Sequence, residues 1–258
     1  MKILITNDDG YEAKGIHTLV HIMKKFGDVT VVAPKTHHSG MSMAISLGLK
    51  PLGFRDLGII DGAQWMYLDG TPASCAKFAI DEVFKDGLPD VVLSGINHGS
   101  NASTAMWYSG TIGAAREGAL GGVPAFAVSL ANLHEDADFS VVEHFFPAIF
   151  EKLMANLPKD KIVVYNVNFP DLPPEQIRGI RSTTQGREMW VNEFVPVEPS
   201  ERREGEAYYV MAGDVVPLPN NPVNSDNWAE DNGYISITPH SLDNTDMDEY
   251  RRLSELFK

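Results

Sequence analysis

Two adjacent carboxylates lie near the start of the sequence, in the run Asn7-Asp8-Asp9-Gly10. In a regular strand the side chains of Asp8 and Asp9 would point to opposite faces, but in a turn they can converge. Two like charges held together are costly unless a cation neutralises them, and Mg²⁺ and Mn²⁺ prefer such oxygen ligands. Because Asn, Asp and Gly are also the residues that ordinary turns favour, the tetrapeptide by itself is equally typical of a plain loop.

Two further polar stretches carry side chains that could join such a site. His37-His38-Ser39-Gly40 offers a hydroxyl at Ser39, but its histidines lack the spacing of a helical zinc pair and are typical of a solvated loop. The run Ser94-Gly95-Ile96-Asn97-His98-Gly99-Ser100-Asn101 supplies two amides: the Asn97 oxygen could complete a metal site, and Asn101 could donate to a phosphate oxygen. An Asx-turn in an ordinary polar loop would use the same residues.

A fourth stretch, Tyr108-Ser109-Gly110-Thr111, precedes and opens a predicted helix. Free N–H groups at a helix start bind anions, aided by the helix dipole and by Ser or Thr hydroxyls. A Ser or Thr N-cap with small neighbours for close packing would look the same, and it is compatible with phosphate binding. No lysine occurs in the stretch, so it is not the P-loop of nucleoside-triphosphate enzymes.

Alternating strands and helices are predicted to hold these loops. Apolar runs predict strands at Lys2–Thr6 and Val29–Ala33, and helical spacing predicts a helix from Ile16 to Phe26 between them. Further strands are predicted at 91–94, 125–130 and 162–167, and further helices at 71–84, 111–120 and 140–156. The pattern predicts an α/β fold with a doubly wound, mostly parallel sheet, whose ligands bind at the carboxyl ends of the strands.

The composition changes after Phe169, where proline becomes frequent. Strands are predicted at Tyr208–Met211 and Tyr234–Thr238, and a closing helix at Met247–Phe257. We therefore expect residues 1–170 to form the catalytic core and residues 171–258 to form a β-rich extension within one functional unit. Since the elements before residue 170 predict a complete sheet, and an isolated hairpin is marginally stable, we expect the extension to pack on a second subunit.

The overall composition excludes several classes of protein. Of the 258 residues, 43% are hydrophobic and 22% are charged, which is typical of a globular protein. The net charge of −14 argues against a nucleic-acid duplex or an anionic membrane surface as partner, because both require a basic patch. The single cysteine, Cys75, permits no internal disulfide, and the first apolar run is too short for a signal peptide. We expect a cytoplasmic location.

Taken together and in order, these segments resemble the survival protein SurE family of 5′/3′-nucleotidases over nearly the whole chain. The segments that carry the resemblance are Ile5–Gly10, Ser39-Gly40, Gly70–Ala73, Ser94–Asn101, Tyr108–Ala115, Asn166–Pro170 and Gly233–Pro239. The resemblance implies a Rossmann-like core with a C-terminal extension, a β-hairpin and a helix, exchanged between the subunits of a homodimer or tetramer. The chain departs from the family pattern most between Arg187 and Asn224, and at His240, where an apolar residue is expected.

The resemblance also implies the chemistry. One divalent cation per subunit, Mg²⁺ or Mn²⁺, would be held by Asp8, Asp9, Ser39 and Asn97. The phosphate would be held by Asn101, Ser109, Gly110 and Thr111. The implied reaction is hydrolysis of nucleoside 5′-monophosphates, and also of 3′-monophosphates, with Asp8, Asp9 and Asn101 as catalytic residues. Either aspartate could orient or deprotonate the attacking water.

Three other classes of protein share part of this pattern. Some zinc-dependent deacetylases also use adjacent aspartates after a first strand, but they typically have His-Pro before the pair and Glu after it, where this chain has Asn7 and Gly10. An aspartyl-phosphate phosphatase needs Asp-x-Asp, and here the two residues are contiguous. A non-catalytic nucleotide-binding module needs no metal, but no Gly-x-Gly-x-x-Gly run follows the first strand. The preferred base, the sugar position, the physiological metal and activity on polyphosphate stay open.

Overall fold

A computed structural model describes residues 1–48, 50–200 and 203–258 of the chain. Within these ranges the strands are β1 Lys2–Thr6, β2 Asp28–Pro34, β3 Phe54–Ile60, β4 Ala63–Leu68, β5 Val91–His98, β6 Ala125–Leu130, β7 Val164–Phe169, β8 Gly179–Ser182, β9 Glu188–Val191, β10 Phe194–Val197, β11 Tyr208–Met211, β12 Asp214–Pro217 and β13 Tyr234–His240. The α-helices are α1 Lys14–Met23, α2 Pro72–Phe78, α3 Gly110–Leu120, α4 Ser140–Met154, α5 Asp226–Asp231 and α6 Met247–Leu256.

One nine-stranded sheet carries the fold, in the order β3-β4-β2-β1-β5-β6-β7-β13-β8. The six strands from β4 to β7 in this order are parallel to one another, whereas β3 and β13 run antiparallel to their neighbours β4 and β7. The predicted α/β class with a doubly wound, mostly parallel sheet is therefore confirmed. In such a sheet the loops after β1, β2 and β5 meet at one edge.

Helices cover both faces of this sheet, which explains why β1 is apolar at successive positions. Ile3 and Ile5 pack in a core cluster with residues of α1 and α4. Leu4 points to the other face and packs in a second cluster with residues of α2 and α3. All three side chains are fully buried, so β1 and the turn that follows it are held from both sides.

Among the element boundaries that differ from the sequence predictions are the ends of β5 and α1. β5 continues beyond Ser94 to His98, because after a register shift its pairing with β6 resumes at Asn97 and His98. The predicted polar loop at this point is thus partly strand, which fixes the backbone of both residues. Helix α1 ends at Met23 instead of Phe26, and Gly27 does not cap it. A Cβ atom at Gly27 would lie 2.0 Å from the Met1 carbonyl oxygen, so this glycine permits a close backbone approach.

The expectation that the sheet is complete before residue 170 is wrong. β13 pairs with β7 at Ser236 and Asn168, and β8 pairs with β13 on its outer side. Part of the predicted extension therefore folds back on its own core, where strand pairing satisfies the backbone of β7. The division into residues 1–170 and 171–258 stays a prediction about function.

Between β8 and α5 the extension forms a ribbon of two antiparallel strand pairs, β9 with β12 and β10 with β11. Several of its apolar side chains are exposed, and helix α6 contains no buried residue. Across the described ranges, none of the helices combines the length and the apolar character needed to cross a membrane.

Candidate active site

The turn after β1 places Asp8 and Asp9 at the edge of the sheet where the predicted loops meet. Asn7 shapes this turn, because its side-chain amide donates to the Gly10 carbonyl oxygen at 2.8 Å and its own oxygen accepts from the Gly10 N–H at 3.2 Å. The loop after β2 joins it through the His38 N–H, which donates to the Asp8 carbonyl oxygen at 2.7 Å. Asn7 therefore has the role in a turn that the sequence suggested. The side chains of Asp8 and Asp9 are not used to form this turn.

Asp8 is the deepest carboxylate of the group, with 2% of its surface exposed. The Thr111 hydroxyl donates to its Oδ1 atom at 2.5 Å. Burial raises the pKa of Asp8 to about 6, and the neighbouring charge of Asp9 adds to the increase, while hydrogen bonds from Thr111 oppose it. Burial of a second carboxylate beside Asp9 is unfavourable without a counter-charge, so this environment favours a bound proton or a cation.

Asn97 presents its side-chain oxygen to the same place. Its amide nitrogen donates to the Gly99 carbonyl oxygen at 2.7 Å, which orients the side chain. The Asn97 Oδ1 atom lies 3.2 Å from the Thr111 hydroxyl, the group that donates to Asp8. The two oxygens therefore lie on either side of one hydroxyl, and both are of the type that a hard cation prefers.

Asp9 contacts two histidines. Its Oδ2 atom lies 3.0 Å from His98 Nδ1 and accepts from the His98 backbone N–H at 3.3 Å. Its Oδ1 atom lies 3.3 Å from Nδ1 of His37, whose side chain is 62% exposed. The expectation of a solvated loop histidine holds for His37, but sequence reasoning gave no role to His98. The only signal for His98 was its place beside Asn97.

Ser39 is the predicted metal ligand from the loop after β2. It is exposed in the loop after β2, and its hydroxyl forms no hydrogen bond with the described residues. The loop itself is fixed nearby, since the Ser42 N–H donates to the Tyr108 carbonyl oxygen at 2.8 Å. A Cβ atom at Gly113 would lie 2.0 Å from the Ser42 carbonyl oxygen, so α3 packs directly on this loop. A cation ligand at Ser39 stays a prediction.

The N-terminus of α3 packs against Asp8. Ser109 caps the helix, because its hydroxyl oxygen accepts from the Ile112 N–H at 3.1 Å. A Cβ atom at Gly110 would lie 2.9 Å from both the Cβ and the Oδ2 atoms of Asp8, so glycine lets the helix end approach the carboxylate. The Thr111 hydroxyl contacts Asp8 and Asn97, although the resemblance implied a phosphate contact for it. The helix dipole thus acts first on Asp8.

Asn101 is held by buried polar side chains of two neighbouring strands. Its backbone N–H donates to Asn168 Oδ1 at 2.9 Å, and its carbonyl oxygen accepts from the Asn166 amide at 2.9 Å. Its own amide nitrogen donates to the Ser129 hydroxyl at 2.9 Å. Sequence reasoning gave these three partners no role, although polar residues within the buried strands β6 and β7 were a usable signal. These three hydrogen bonds fix the backbone of Asn101 and orient its side-chain amide.

A family model described as survival protein SurE matches residues 3–192 of the chain. The chain belongs to the SurE family. The 5′-nucleotidase SurE of Chlorobium limicola is 40% identical over 246 residues, which cover 94% of this chain and 91% of that protein. The 5′-nucleotidase SurE of Caldanaerobacter subterraneus subsp. tengcongensis is 40% identical over 256 residues, which cover 98% and 96%. The crystal structure of the SurE protein from Aquifex aeolicus matches with a TM-score of 0.81 at 32% identity, over 99% of both chains.

A buried carboxyl group on α5, in the extension of this SurE chain, contacts the loop that follows β5. The Ser100 hydroxyl donates to Glu230 Oε2 at 2.5 Å and accepts from the Ala102 N–H at 3.1 Å. Burial raises the pKa of Glu230 to about 8, and the nearby Asp226, Asp231 and Glu188 add to the increase, while the Ser100 hydrogen bond opposes it. This environment therefore favours the protonated form of the Glu230 carboxyl group. Only the tertiary structure shows this contact between α5 and the loop.

The donor set in this SurE chain fits a hard divalent cation. Within the described part of the chain, no three His, Cys, Asp or Glu side chains cluster in a way that could hold a metal. The oxygens of Asp8, Asp9 and Asn97 are the available donors, and the two nearby histidines bond to Asp9. Oxygen-only sets suit Mg²⁺ or Mn²⁺, whereas zinc sites are built mainly from His and Cys. This chemistry disfavours the zinc-deacetylase alternative.

Proposed function

We propose that this SurE-family protein is a 5′-nucleotidase that hydrolyses the phosphomonoester of nucleoside 5′-monophosphates in the presence of one divalent cation per subunit. The observation that carries the proposal is the buried Asp8 with Asn97 beside it, directly against the N-terminus of α3. Relatives named 5′-nucleotidase SurE, about 40% identical over nearly the whole chain, support the same reaction. We extend the proposal to 3′-monophosphates, in line with the family resemblance.

The cation would be held by Asp8, Asp9 and Asn97, with the Ser39 hydroxyl as the ligand from the loop after β2. When bound, Mg²⁺ or Mn²⁺ would neutralise charge on the phosphoryl oxygens as the transition state forms. Asp8 or Asp9 orients the attacking water and takes its proton. Thr111 keeps Asp8 in place through its hydroxyl, so its contribution to catalysis is indirect.

Asn101, Ser109 and Gly110 are the groups that would hold the phosphate. The Asn101 amide uses one proton on Ser129 and has a second proton for a phosphate oxygen. The Ser109 hydroxyl oxygen accepts from Ile112, which leaves its own proton free to donate. The Gly110 N–H lies in the first turn of α3, where backbone donors have no intrahelical partner. Positioning and electrostatics of this kind carry most of the catalysis in phosphoryl transfer.

The direct test is an assay of phosphate release from 5′-AMP and 3′-AMP by the full chain with Mg²⁺ or Mn²⁺ present. Glycerol phosphate at the same concentration serves as a matched phosphomonoester without a base. The proposal expects phosphate release from 5′-AMP well above that from glycerol phosphate. Failure to release phosphate from any nucleoside monophosphate with either cation would contradict it.

Asn97 and Asn101 should fail in different ways when each is replaced by alanine. Asn97→Ala removes a cation ligand, so its activity should need more Mn²⁺ and should recover partly as Mn²⁺ rises. Asn101→Ala removes a phosphate contact, so its turnover should fall about 10²-fold without rescue by Mn²⁺, as for loss of one transition-state donor. Mn²⁺ titrations of kcat measure the difference, and the exposed Asn156→Ala variant is the control. Matching titration curves for the two variants would refute this division of roles.

We also propose that the ribbon and the C-terminal segment build a homodimer or tetramer by exchange between subunits. Phe194 and Met211 face each other across the β10–β11 pair, and they are 63% and 70% exposed. On α6, Tyr250 and Leu256 are exposed as well. Exposed apolar side chains on a two-stranded ribbon need a surface to pack on, and a second copy of the chain would supply one.

Deleting residues 186–224 should shift the protein toward monomer in light scattering. The cut ends lie close together, because Thr184 and Ser225 form a bridge and the Asp226 N–H donates to the Thr184 carbonyl oxygen at 2.9 Å. A short Gly-rich linker can therefore join them, and Mn²⁺ binding should persist since the proposed ligands lie outside the deletion. A charge pair, Phe194→Glu with Met211→Glu, should give the same shift, whereas Ile59→Glu on β3 should not. A wild-type chain that is monomeric at micromolar concentration would defeat the proposal.

A further inference from the structure

The two oxygens of Asp9 have different surroundings. Oδ2 accepts from the His98 backbone N–H at 3.3 Å and lies 3.0 Å from the ring Nδ1 of the same residue. Oδ1 faces the loop after β2, where its neighbour is the exposed ring of His37. The contacts with His98 therefore distinguish Oδ2 from Oδ1.

The His98 ring is itself fixed. Its side chain is 11% exposed, and it packs edge-on against the buried Phe139 ring with 5.2 Å between the centroids. Its Nε2 atom is buried and has no hydrogen-bond partner among the described residues. An N–H at Nε2 would be left unsatisfied in this environment, which favours the tautomer with its N–H at Nδ1, where it can donate to Asp9.

We propose that His98 is a positioning residue for the nucleotidase reaction: it fixes the rotamer of Asp9 so that Oδ1 is the oxygen presented to the cation and the attacking water. The inference rests on the proposed function for its catalytic consequence. The structural part of the inference is that a second residue orients a cation ligand, and this part does not depend on the substrate. Such outer partners of metal ligands commonly affect metal affinity or activity by about 10–100-fold.

Three substitutions separate hydrogen bonding from packing. His98→Leu keeps an apolar body against Phe139 and removes the ring donor. His98→Asn places an amide nitrogen near the position of Nδ1, where it can still donate to Asp9. His98→Gln keeps an amide group but carries it one methylene further, toward the position of Nε2. The backbone N–H of residue 98 is present in all three, and His144→Leu, an exposed histidine on α4, is the control.

Two measurements on the full chain test the proposal: Mn²⁺ binding without nucleotide, by electron paramagnetic resonance of the free ion, and kcat and KM for 5′-AMP. We expect His98→Leu and His98→Gln to lose about tenfold or more in Mn²⁺ affinity and in kcat. The KM for 5′-AMP should stay within about twofold, and His98→Asn should recover most of both losses. If His98→Leu does not fold, the comparison of Asn with Gln decides the question alone.

The proposal is overturned if the Asn and Gln variants are impaired equally, since this would indicate packing, or if all three variants bind Mn²⁺ and turn over like wild type. A wild-type chain that binds no Mn²⁺ overturns it together with the proposed metal site. If the wild-type chain binds Mn²⁺ but hydrolyses no nucleotide, only the proposed function is contradicted. The Mn²⁺ affinities of the three His98 variants, compared with that of wild type, then still decide the role of His98.

Discussion

Stripping divalent cations from the protein should abolish the hydrolysis of 5′-AMP, and Mg²⁺ or Mn²⁺ should restore it. Asp8 is buried next to Asp9, and a phosphate ester would bring further negative charge to the same place. Thr111 and Asn97 are neutral, so beyond hydrogen bonds and the dipole of α3 they supply no positive charge to offset it. We expect activity to fall to the background of the assay.

The measurement is phosphate release after treatment with EDTA and dialysis, followed by titration with Mg²⁺, Mn²⁺ and Zn²⁺ in separate series. A cation that binds only the folded chain should also raise its melting temperature, which gives a readout that does not depend on activity. Circular dichroism of the stripped protein shows whether the fold persists. Full activity in thoroughly stripped protein would rule out the metal-dependent mechanism, and restoration by Zn²⁺ alone would favour the zinc-enzyme alternative.

Asp9→Asn should lower kcat by at least about 10²–10³-fold, the range typical for loss of one strong electrostatic group in an active site. The substitution removes one negative charge and changes the volume little. Whether Asp9 binds the cation or takes the proton of the attacking water, its charge is required. The fold should survive, since Asp9 contacts His37 and His98 at the edge of the sheet and lies outside the apolar core.

The comparison needs both steady-state kinetics and a thermal melt of each variant. Asp86→Asn, an exposed acid on the surface, carries the same change of charge and is the matched control. A kcat for Asp9→Asn within a few-fold of wild type would assign Asp9 to the structure of the turn. In that case Asp8 would be the remaining candidate to activate water.

The strands of the sheet show which features of this fold the local sequence pattern can predict. Hydrophobic periodicity and residue composition predicted the bounds of β1, β2, β6 and β7 to within about two residues. Each of these strands is a short apolar run bounded by polar or turn residues. The predicted strand at Tyr234–Thr238 also exists as β13. Its place beside β7 did not follow from the sequence, because pairing between distant segments depends on which edge is left free once the core has formed.

The sequence by itself determined which chemistry the chain carries: two contiguous carboxylates, two amides in the run Ser94–Asn101, and a capped, lysine-free helix start at Ser109. Their residue types are local facts, and their positions at strand ends follow from alternating strands and helices. The tertiary structure decided how they are used. It gives the Thr111 hydroxyl to Asp8, it holds Asp9 through a residue 89 positions away, and it leaves Ser39 exposed. Sequence periodicity sets the face on which a side chain lies, whereas packing and register between distant elements set which atoms meet.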